Sequence, residues 1–276
     1  VRLENQGDFH RLLSTVSLPG VKHPADIIVE ARGEDVKDLD LSVYLELNNF
    51  DFNNNINNLI KNIFPDVSEY IVGFKASINA ALWIQAKKGE TITLFGNLYS
   101  DDIYHNLFKG AVPIAKFNAG MSGWYNPDQD WGMNLHDLSW DWDGLQAKSL
   151  MVNIAQKIPH GLEPLSLSVN QIDLTLLGEM LKKIPITFNN FFDTLQKFQP
   201  AGNIRNLHLV VDGKNKSSDI QLKANLDNVS LESWDGNPAA RELNGYLEIN
   251  NESGFLELDS PNGFALYLPG TFDDFL

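Results

Sequence analysis

The chain has 276 residues, of which 43% are hydrophobic and 21% charged, as in ordinary water-folded proteins and unlike disordered segments or bundles of membrane spans. With 21 Lys and Arg against 36 Asp and Glu, the formal net charge is −15, which is the wrong sign for neutralising phosphates, so nucleic acid is not expected as a partner. The chain has no cysteine, which excludes disulfides and thiolate metal sites.

The chain begins Val1-Arg2-Leu3-Glu4-Asn5, without an initiator Met or the basic and apolar regions of a signal peptide. No uninterrupted apolar run reaches the roughly 18 residues of a membrane-spanning helix. We therefore expect a piece of a longer protein, whose flanking segments carry any anchor and targeting signal. Residues 1–40 are assigned to the end of a preceding repeat.

Apolar and polar residues alternate strictly along much of the chain, which predicts strands with one covered face. Such one-sided strands are typical of antiparallel sheets, because the strands of parallel sheets are buried on both faces. The predicted fold is therefore all-β with short helices. In chain order, the apolar rows are Leu41, Val43, Leu45 and Leu47; Ile78, Ala80, Leu82 and Ile84; Ile92, Leu94, Gly96 and Leu98; Leu165, Leu167 and Val169; Leu207, Leu209 and Val211; Ile220, Leu222, Ala224 and Leu226; Leu243, Gly245, Leu247 and Ile249; and Phe264, Leu266 and Leu268.

Two segments have helical spacing instead, with apolar residues at i, i+3, i+4 and i+7. Pro65 ends the first segment and Pro185 ends the second. The apolar positions are Ile56, Leu59, Ile60 and Ile63 in the first, and Leu177, Met180, Leu181 and Ile184 in the second.

The two helical segments belong to a duplicated unit. Residues 47–52 match residues 169–174, and residues 92–98 match residues 220–226. An insertion near residues 189–198 lies between the matched parts and predicts a second short helix there.

The duplication divides the remaining chain into two β-rich repeat units. Residues 41–164 are assigned to a unit with one helix, and residues 165–276 to a unit with one or two helices. Stacked β-rich repeats predict an elongated antiparallel sheet in which neighbouring units cover each other's ends.

An ordered succession of short motifs in the second unit resembles the YhdP branch of the AsmA-like family, large Gram-negative envelope proteins related to TamB. The resemblance is strongest from residue 165 onward, and the weaker repeat copy extends it toward residue 41. A Trp-rich stretch, residues 124–142, matches no motif of the family. The motifs are Ile172-Asp173-Leu174, Lys183-Ile184-Pro185, Leu195 to Ile204, Ala224 to Ser230, Asn237-Pro238, Leu243 to Leu247, Gly254 to Asp259, and Leu268 to Phe272.

The resemblance implies a segment of a long protein that is anchored in the inner membrane and has its body in the periplasm. It further implies a curved, groove-like β-sheet that carries phospholipid between the two membranes and supports outer-membrane integrity. The expected partners are phospholipid acyl chains, the remaining repeats of the parent chain and other envelope proteins. The family carries no catalytic residues, so neither an enzyme nor a cofactor is expected.

Physical reasoning leaves two ways to cover the apolar rows: a second sheet of the same chain, as in a sandwich, or hydrocarbon. Periodicity does not distinguish them. In the groove interpretation, the residues expected to contact lipid are Ile92, Leu94, Leu98, Leu138, Trp140, Trp142, Leu207, Leu209, Val211, Ile220, Leu222, Leu226, Leu247 and Ile249.

The alternative function is a non-catalytic sandwich that binds envelope carbohydrate or a protein through the stretch from Trp124 to Trp142. No metal site is expected, because the six histidines lack the i, i+3 or i, i+4 pairs that metals favour. An Asp-rich loop at residues 126–137 has its glycine in the wrong place for calcium and is interpreted as a hairpin turn.

Overall fold

The computed structural model describes residues 1–17, 23–34, 39–52, 75–87, 90–104, 113–127, 129–157, 164–183, 197–212 and 219–271. These residues form fifteen strands and one α-helix. The helix is α1 (Leu174–Lys183), and the strands are β1 (Arg2–Gln6), β2 (Phe9–Val16), β3 (Ala25–Arg32), β4 (Asp40–Phe52), β5 (Lys75–Ala86), β6 (Ile92–Tyr104), β7 (Ile114–Asn126), β8 (Asp130–Trp142), β9 (Leu145–Lys157), β10 (Leu165–Asp173), β11 (Ala201–Asp212), β12 (Asp219–Leu231), β13 (Ala239–Asn250), β14 (Gly254–Leu258) and β15 (Ala265–Tyr267).

The chain folds as two compact units, Val1–Ser149 and Leu150–Leu276. In the first unit, strands β1 to β8 lie in chain order, each antiparallel to its neighbours. In the second unit, the part of β9 from Leu150 onward and strands β10 to β14 follow the same rule, and β15 pairs with the beginning of β13. The predicted all-β class with an open antiparallel sheet is confirmed.

Residues that face each other across an antiparallel pair point to the same side of the sheet. In the first unit, Leu12 lies opposite Val29, Val29 opposite Val43, Val43 opposite Ile84, and Ile84 opposite Leu94. This apolar line crosses five strands and defines the apolar face of the unit. The opposite side is called the polar face.

The same arrangement recurs in the second unit. Ile154 lies opposite Leu167, Leu167 opposite Leu209, Leu209 opposite Leu222, and Leu222 opposite Ile249. The second unit therefore also has an apolar face that several strands share.

The register of the first strand pair in each repeat agrees with the duplication, in which residues 80–84 also match residues 207–211. In the first unit, Leu45 pairs with Leu82 and Leu47 pairs with Ala80. The matched residues of the second unit pair in the same way, Leu167 with Leu209 and Val169 with Leu207. In the next strand pair the register differs by two residues, since Ile84 lies opposite Leu94 and the matched Val211 lies opposite Ile220, the counterpart of Ile92.

Several strands contain a β-bulge where a non-glycine residue has a positive φ, between 48° and 58°. A bulge places two residues opposite one and shifts the phase of side-chain alternation. On β12, even-numbered residues form the apolar face up to Leu226. After the bulge at Asn228, the odd-numbered Val229 lies on that face instead. The bulge residues in strands are Asn49, Lys116, Asp137, Asn206, Asn228 and Glu242.

Asparagine side chains on neighbouring strands supply hydrogen bonds that the bulges remove from the ladder. The Oδ1 of Asn79 accepts from the backbone N–H of Asn49 at 2.9 Å, and the Oδ1 of Asn244 accepts from that of Asn228 at 2.9 Å. Each bond pairs a backbone N–H that the bulge leaves outside the ladder, and a hydrogen bond of this kind contributes roughly 0.5–1.5 kcal/mol to stability.

Asn244→Ala is expected to lower the free energy of unfolding by about 1 kcal/mol, because the N–H of Asn228 loses its acceptor. Urea denaturation followed by circular dichroism measures the change. Asn97→Ala is the matched control, since Asn97 is an exposed strand asparagine and is expected to change stability by less than about 0.5 kcal/mol. Equal losses in both variants would contradict the role given to Asn244.

Helix α1 begins after Asp173, whose Oδ1 accepts from the backbone N–H of Leu176 at 2.9 Å as an N-cap. Its first residue, Leu174, is buried against Val229 and Leu243.

The helix predicted around Leu177 is confirmed up to Lys183. The helix predicted around residues 56–63, together with Pro65, Ile184 and Pro185, lies outside the described residues. The second short helix, predicted near residues 189–198, lies almost wholly outside them.

Candidate functional site: an apolar face of the sheet

The lipid-contacting residues predicted in the second unit share its apolar face. Leu209 and Leu222 pair directly, as do Val211 and Ile220. Leu207 lies on the same face of β11, opposite Val169.

The remaining predicted residues of this unit extend the same surface. Leu222 pairs with Ile249, and Leu247 pairs with Ala224. Leu226 lies opposite Ile204 and completes the apolar row of β12. The structure therefore brings together all eight residues that the sequence proposed in this unit.

In the first unit, the predicted residues lie on two strands of one apolar face. On β6, Leu94 lies opposite Ile84 and Leu98 opposite Ala80, and Ile92 lies on the same side of the strand. On β8, Leu138, Trp140 and Trp142 follow the bulge at Asp137, and Trp142 pairs with Ile114.

Exposure along each apolar face falls from one end to the other. On β12, Ile220 is 44% exposed, whereas Ala224 is 1% and Val229 5% exposed. The neighbouring strand β13 runs from Ile249, 43% exposed, to Leu243, which is buried. The second unit thus has an open end near Ile220 and Ile249 and a closed end near Val229.

The closed end of the second unit is a small core in which α1 packs on the apolar face and β15 extends the sheet beside β13. Leu174 of α1 packs with Val229, Ala240 and Leu243, and Leu266 of β15 lies against the same cluster. The first unit has an equivalent core, in which Ala76, Ile78, Ala80 and Ile103 are buried and Phe52 packs against them. Toward the ends of β11 and β12 at Val211 and Ile220, no second strand layer covers the apolar face within the described residues.

The accessible part of the apolar faces holds most of the predicted residues. Leu138 and Trp142 differ, because they are 7% and 1% exposed and lie within the covered part of the first unit. Trp140 is half-buried, and its Nε1 has no hydrogen-bond partner within the described residues.

The aromatic residues of the Trp-rich stretch lie mainly on the apolar face. Trp124 lies opposite Thr93 on the polar face, where its ring covers Gly132. Trp131 pairs with Tyr125, which lies opposite Ile92 on the apolar face. Of the aromatic residues in the alternative interpretation, Trp124 therefore lies on the polar face, whereas Tyr125, Trp131, Trp140 and Trp142 share the apolar face.

The polar face of the second unit carries charged pairs. Lys223 Nζ lies 3.0 Å from Glu248 Oε1, and Arg205 lies 2.6 Å from Asp227. The hydrogen bond from Lys223 lowers the pKa of Glu248, and the same bond raises the pKa of Lys223. Exposed pairs of this kind contribute little to stability, so this face chiefly keeps the sheet soluble.

Polar side chains on this sheet do not assemble into reactive or metal-binding geometry within the described residues. No group of three or more His, Asp or Glu is placed to hold a metal ion in the part of the chain that the structure describes. The nearest approach to a nucleophile and base is Ser168 Oγ, 2.9 Å from His208 Nδ1. A hydrolytic site also needs a base that a third group orients and an oxyanion hole. Among the described residues, no carboxylate is hydrogen-bonded to His208 to orient its ring.

The Asp-rich loop closes a hairpin, as the sequence predicted. Asn126 pairs with Asp130 in the register of β7 and β8, and its side-chain amide donates to the carboxylate of Asp130. Thr91 donates to the Oδ1 of Asn126. These side-chain oxygens are thus engaged within the turn.

Among the residues that the structure covers, no helix is both long and apolar enough to cross a membrane.

The fold and the site together define a class: single-layer antiparallel β proteins, built from repeats, in which one face of the sheet is apolar and open at one end. The chain belongs to the YhdP family, since the model of that family, described as "YhdP protein", matches residues 1–276. This confirms the resemblance to the YhdP branch of the AsmA-like proteins. The curated proteins and the solved structures contain no match to the chain.

Proposed function

We propose that this chain is a non-catalytic, lipid-shielding segment of a periplasmic protein whose membrane anchor lies outside the segment. Acyl chains of phospholipid lie against the apolar faces while the headgroups remain in water. The parent protein moves phospholipid between the inner and outer membranes and so maintains the outer membrane. Other repeats of the parent chain continue the path, and envelope proteins are its further partners.

The observation that carries this proposal is the open end of the apolar face. Near Ile220 and Ile249, leucine and isoleucine side chains from several neighbouring strands form one surface, and no second layer of the described chain lies on it. A contiguous apolar surface of this kind on a soluble protein marks a binding site or an aggregation hazard. A hydrocarbon ligand accounts for a surface with no specific polar anchors.

The energetics suit transfer rather than storage. Each methylene removed from water contributes roughly 0.8 kcal/mol, so a chain of about 16 carbons gains on the order of 10 kcal/mol. The same chain gains a similar amount in a bilayer. A face that matches the bilayer in apolarity lets lipid move onto and along it without a deep trap.

Adjacent residues on opposite faces allow a sharp test by site-specific photocrosslinking. Leu222 lies on the apolar face and Gln221 on the polar face of the same strand. With a photoreactive phenylalanine analogue, position 222 is expected to form adducts with phospholipid in cells, and position 221 is not. Adducts of equal yield at both positions, or none at position 222, would refute the proposal.

The carbohydrate or protein-binding sandwich remains the competing proposal, and the fold argues against it. A sandwich needs a second sheet over the apolar rows, and the described strands form no such layer.

A further inference from the structure

The polar face of the first unit carries an apolar row that the sheet itself does not require. Tyr44, Trp83 and Phe95 lie opposite one another on β4, β5 and β6. The ring centroids of Tyr44 and Trp83 are 4.9 Å apart, and those of Trp83 and Phe95 are 5.4 Å apart with planes 4° from parallel. Leu13 and Ile28 continue this line across β2 and β3. These five residues are called the aromatic row.

The second repeat copy shows what the same positions hold without such a row. In the duplication, Trp83 matches Val210 and Phe95 matches Lys223. Lys223 forms an ion pair with Glu248, as a solvated face normally does. Trp83 and Phe95 are instead 36% and 42% exposed, so the first unit presents large aromatic edges to solvent. Exposed aromatic clusters of this size are typical of protein interfaces.

An uncompensated negative charge flanks the aromatic row on one side. Asp26 and Glu46 lie directly opposite each other on β3 and β4, an arrangement of like charges that destabilises a sheet. Thr15 donates to Asp26 at 2.7 Å and Tyr44 donates to Glu46 at 3.0 Å, but neither carboxylate has a cationic partner within the described residues. Burial, and then the hydrogen bond to Glu46 with the nearby carboxylates, raises the pKa of Tyr44.

The other side of the aromatic row is electrically balanced. Arg11 lies 3.3 Å from Glu30. Beside this pair, the small side chain of Ser42 leaves a recess of about 330 Å³, which Tyr44 and Trp83 wall. The surface therefore has an apolar centre with one recess, one neutral flank and one acidic flank.

From this pattern we propose that the aromatic row docks an amphipathic helix of a protein partner, with Lys or Arg along one flank. Strands lie 4.7–4.9 Å apart, so the row spans roughly 19 Å, which a helix of about 13 residues covers at 1.5 Å per residue. Apolar residues of the helix recur about every 5.4 Å and meet the row. Its basic flank meets Asp26 and Glu46, and one side chain enters the recess beside Ser42. The site lies on the opposite face from the proposed lipid surface and does not depend on it.

The test uses the full 276-residue chain labelled with 5-fluorotryptophan, in which loss of one resonance on Trp83→Phe assigns the signal of Trp83. The probe is a 15-residue peptide of leucine and lysine with leucines at helical i, i+3 and i+4 spacing. Its binding is expected to shift the Trp83 resonance saturably. The same peptide with glutamate in place of lysine is expected to bind about tenfold more weakly, because the acidic flank repels it.

Two sets of variants separate this site from other apolar surfaces. Asp26→Asn with Glu46→Gln is expected to weaken the lysine peptide about fivefold, and Phe95→Ser about tenfold. Lys223→Gln with Glu248→Gln alters the polar face of the other unit and is the matched control, expected to leave affinity unchanged. The proposal is overturned if the Trp83 resonance does not move when the peptide is in saturating excess. It is also overturned if the two double variants bind the lysine peptide with equal affinity, or if Leu94→Ser on the apolar face is the only substitution that weakens binding.

Discussion

Leu222→Asp is expected to leave the chain folded and to remove most of its bound lipid. Leu222 is half-buried in the apolar face, between Leu209 and Ile249. Near the open end its side chain faces solvent or hydrocarbon, so a carboxylate there remains hydrated in the lipid-free protein. The substitution is expected to lower the free energy of unfolding by about 2 kcal/mol, because the partial burial of the leucine side chain is lost. Lipid binding falls much further, because an acyl chain at this position would lie against an ionised carboxylate.

The measurement combines lipid crosslinking at Leu209 with urea denaturation of the same variant. Gln221→Asp is the matched control, since it adds the same charge one residue away on the polar face, and it is expected to keep both lipid and stability. If Leu222→Asp unfolds the chain, the apolar rows are covered by polypeptide, as in a sandwich, and the open-face interpretation is wrong.

Gly202→Ala is expected to destabilise the second unit by about 3 kcal/mol. Gly202 has a φ of +93°, which L-residues rarely adopt. A Cβ at this position would lie 2.1 Å from the carbonyl oxygen of Asn228, the bulge residue of the neighbouring strand. Both the backbone strain and the clash add to the cost, and the total is a large part of the usual stability of a domain.

Gly178→Ala is the control for this substitution. Gly178 lies in α1 with open space around it, and alanine there is expected to raise stability by about 0.5–1 kcal/mol. Midpoints of urea denaturation, followed by circular dichroism, measure both variants. A Gly202→Ala variant as stable as the original chain would contradict the close packing of β11 against the bulge.

The strands and the repeat could be predicted because alternation with a period of two is a direct signal of a half-covered sheet. The pairing of Leu167 with Leu209 follows from the same signal, since a slip of one residue would place the apolar residues on the wrong face. The strand order could also be anticipated, because short turn sequences join antiparallel neighbours in chain order.

The bulges were not predicted, although the sequence contains a trace of them. On β8, the apolar face uses Met133 and Leu135 before Asp137 and Leu138 and Trp140 after it. This change from odd to even positions is visible in the sequence as a shift in phase. Reading each apolar row separately hides the shift, because no single row contains it.

The membership of the apolar face was predictable, but the difference between its open and closed ends was not. Ile220 and Val229 have similar apolar side chains, yet their exposures are 44% and 5%. The difference arises because α1 packs on only one end of the apolar face of the second unit, where Leu266 of β15 also joins the core. Alternation within a strand contains no information about which distant element lies on it.

The sequence shows the members of the aromatic row but not their alignment. Tyr44, Trp83 and Phe95 occupy positions at which the alternation predicts polar residues. Each one alone is an ordinary exception, since single apolar residues are common on protein surfaces. Their alignment on three neighbouring strands becomes evident only with the strand registers.

The most direct test of lipid shielding is to purify the chain from bacterial cells without detergent, extract it with organic solvent and analyse the extract by mass spectrometry. Phospholipid recovered in amounts comparable to the protein, and lost from the Leu222→Asp variant, is the predicted result. An extract free of phospholipid from a folded, monomeric chain, together with saturable binding of oligosaccharide, would contradict it.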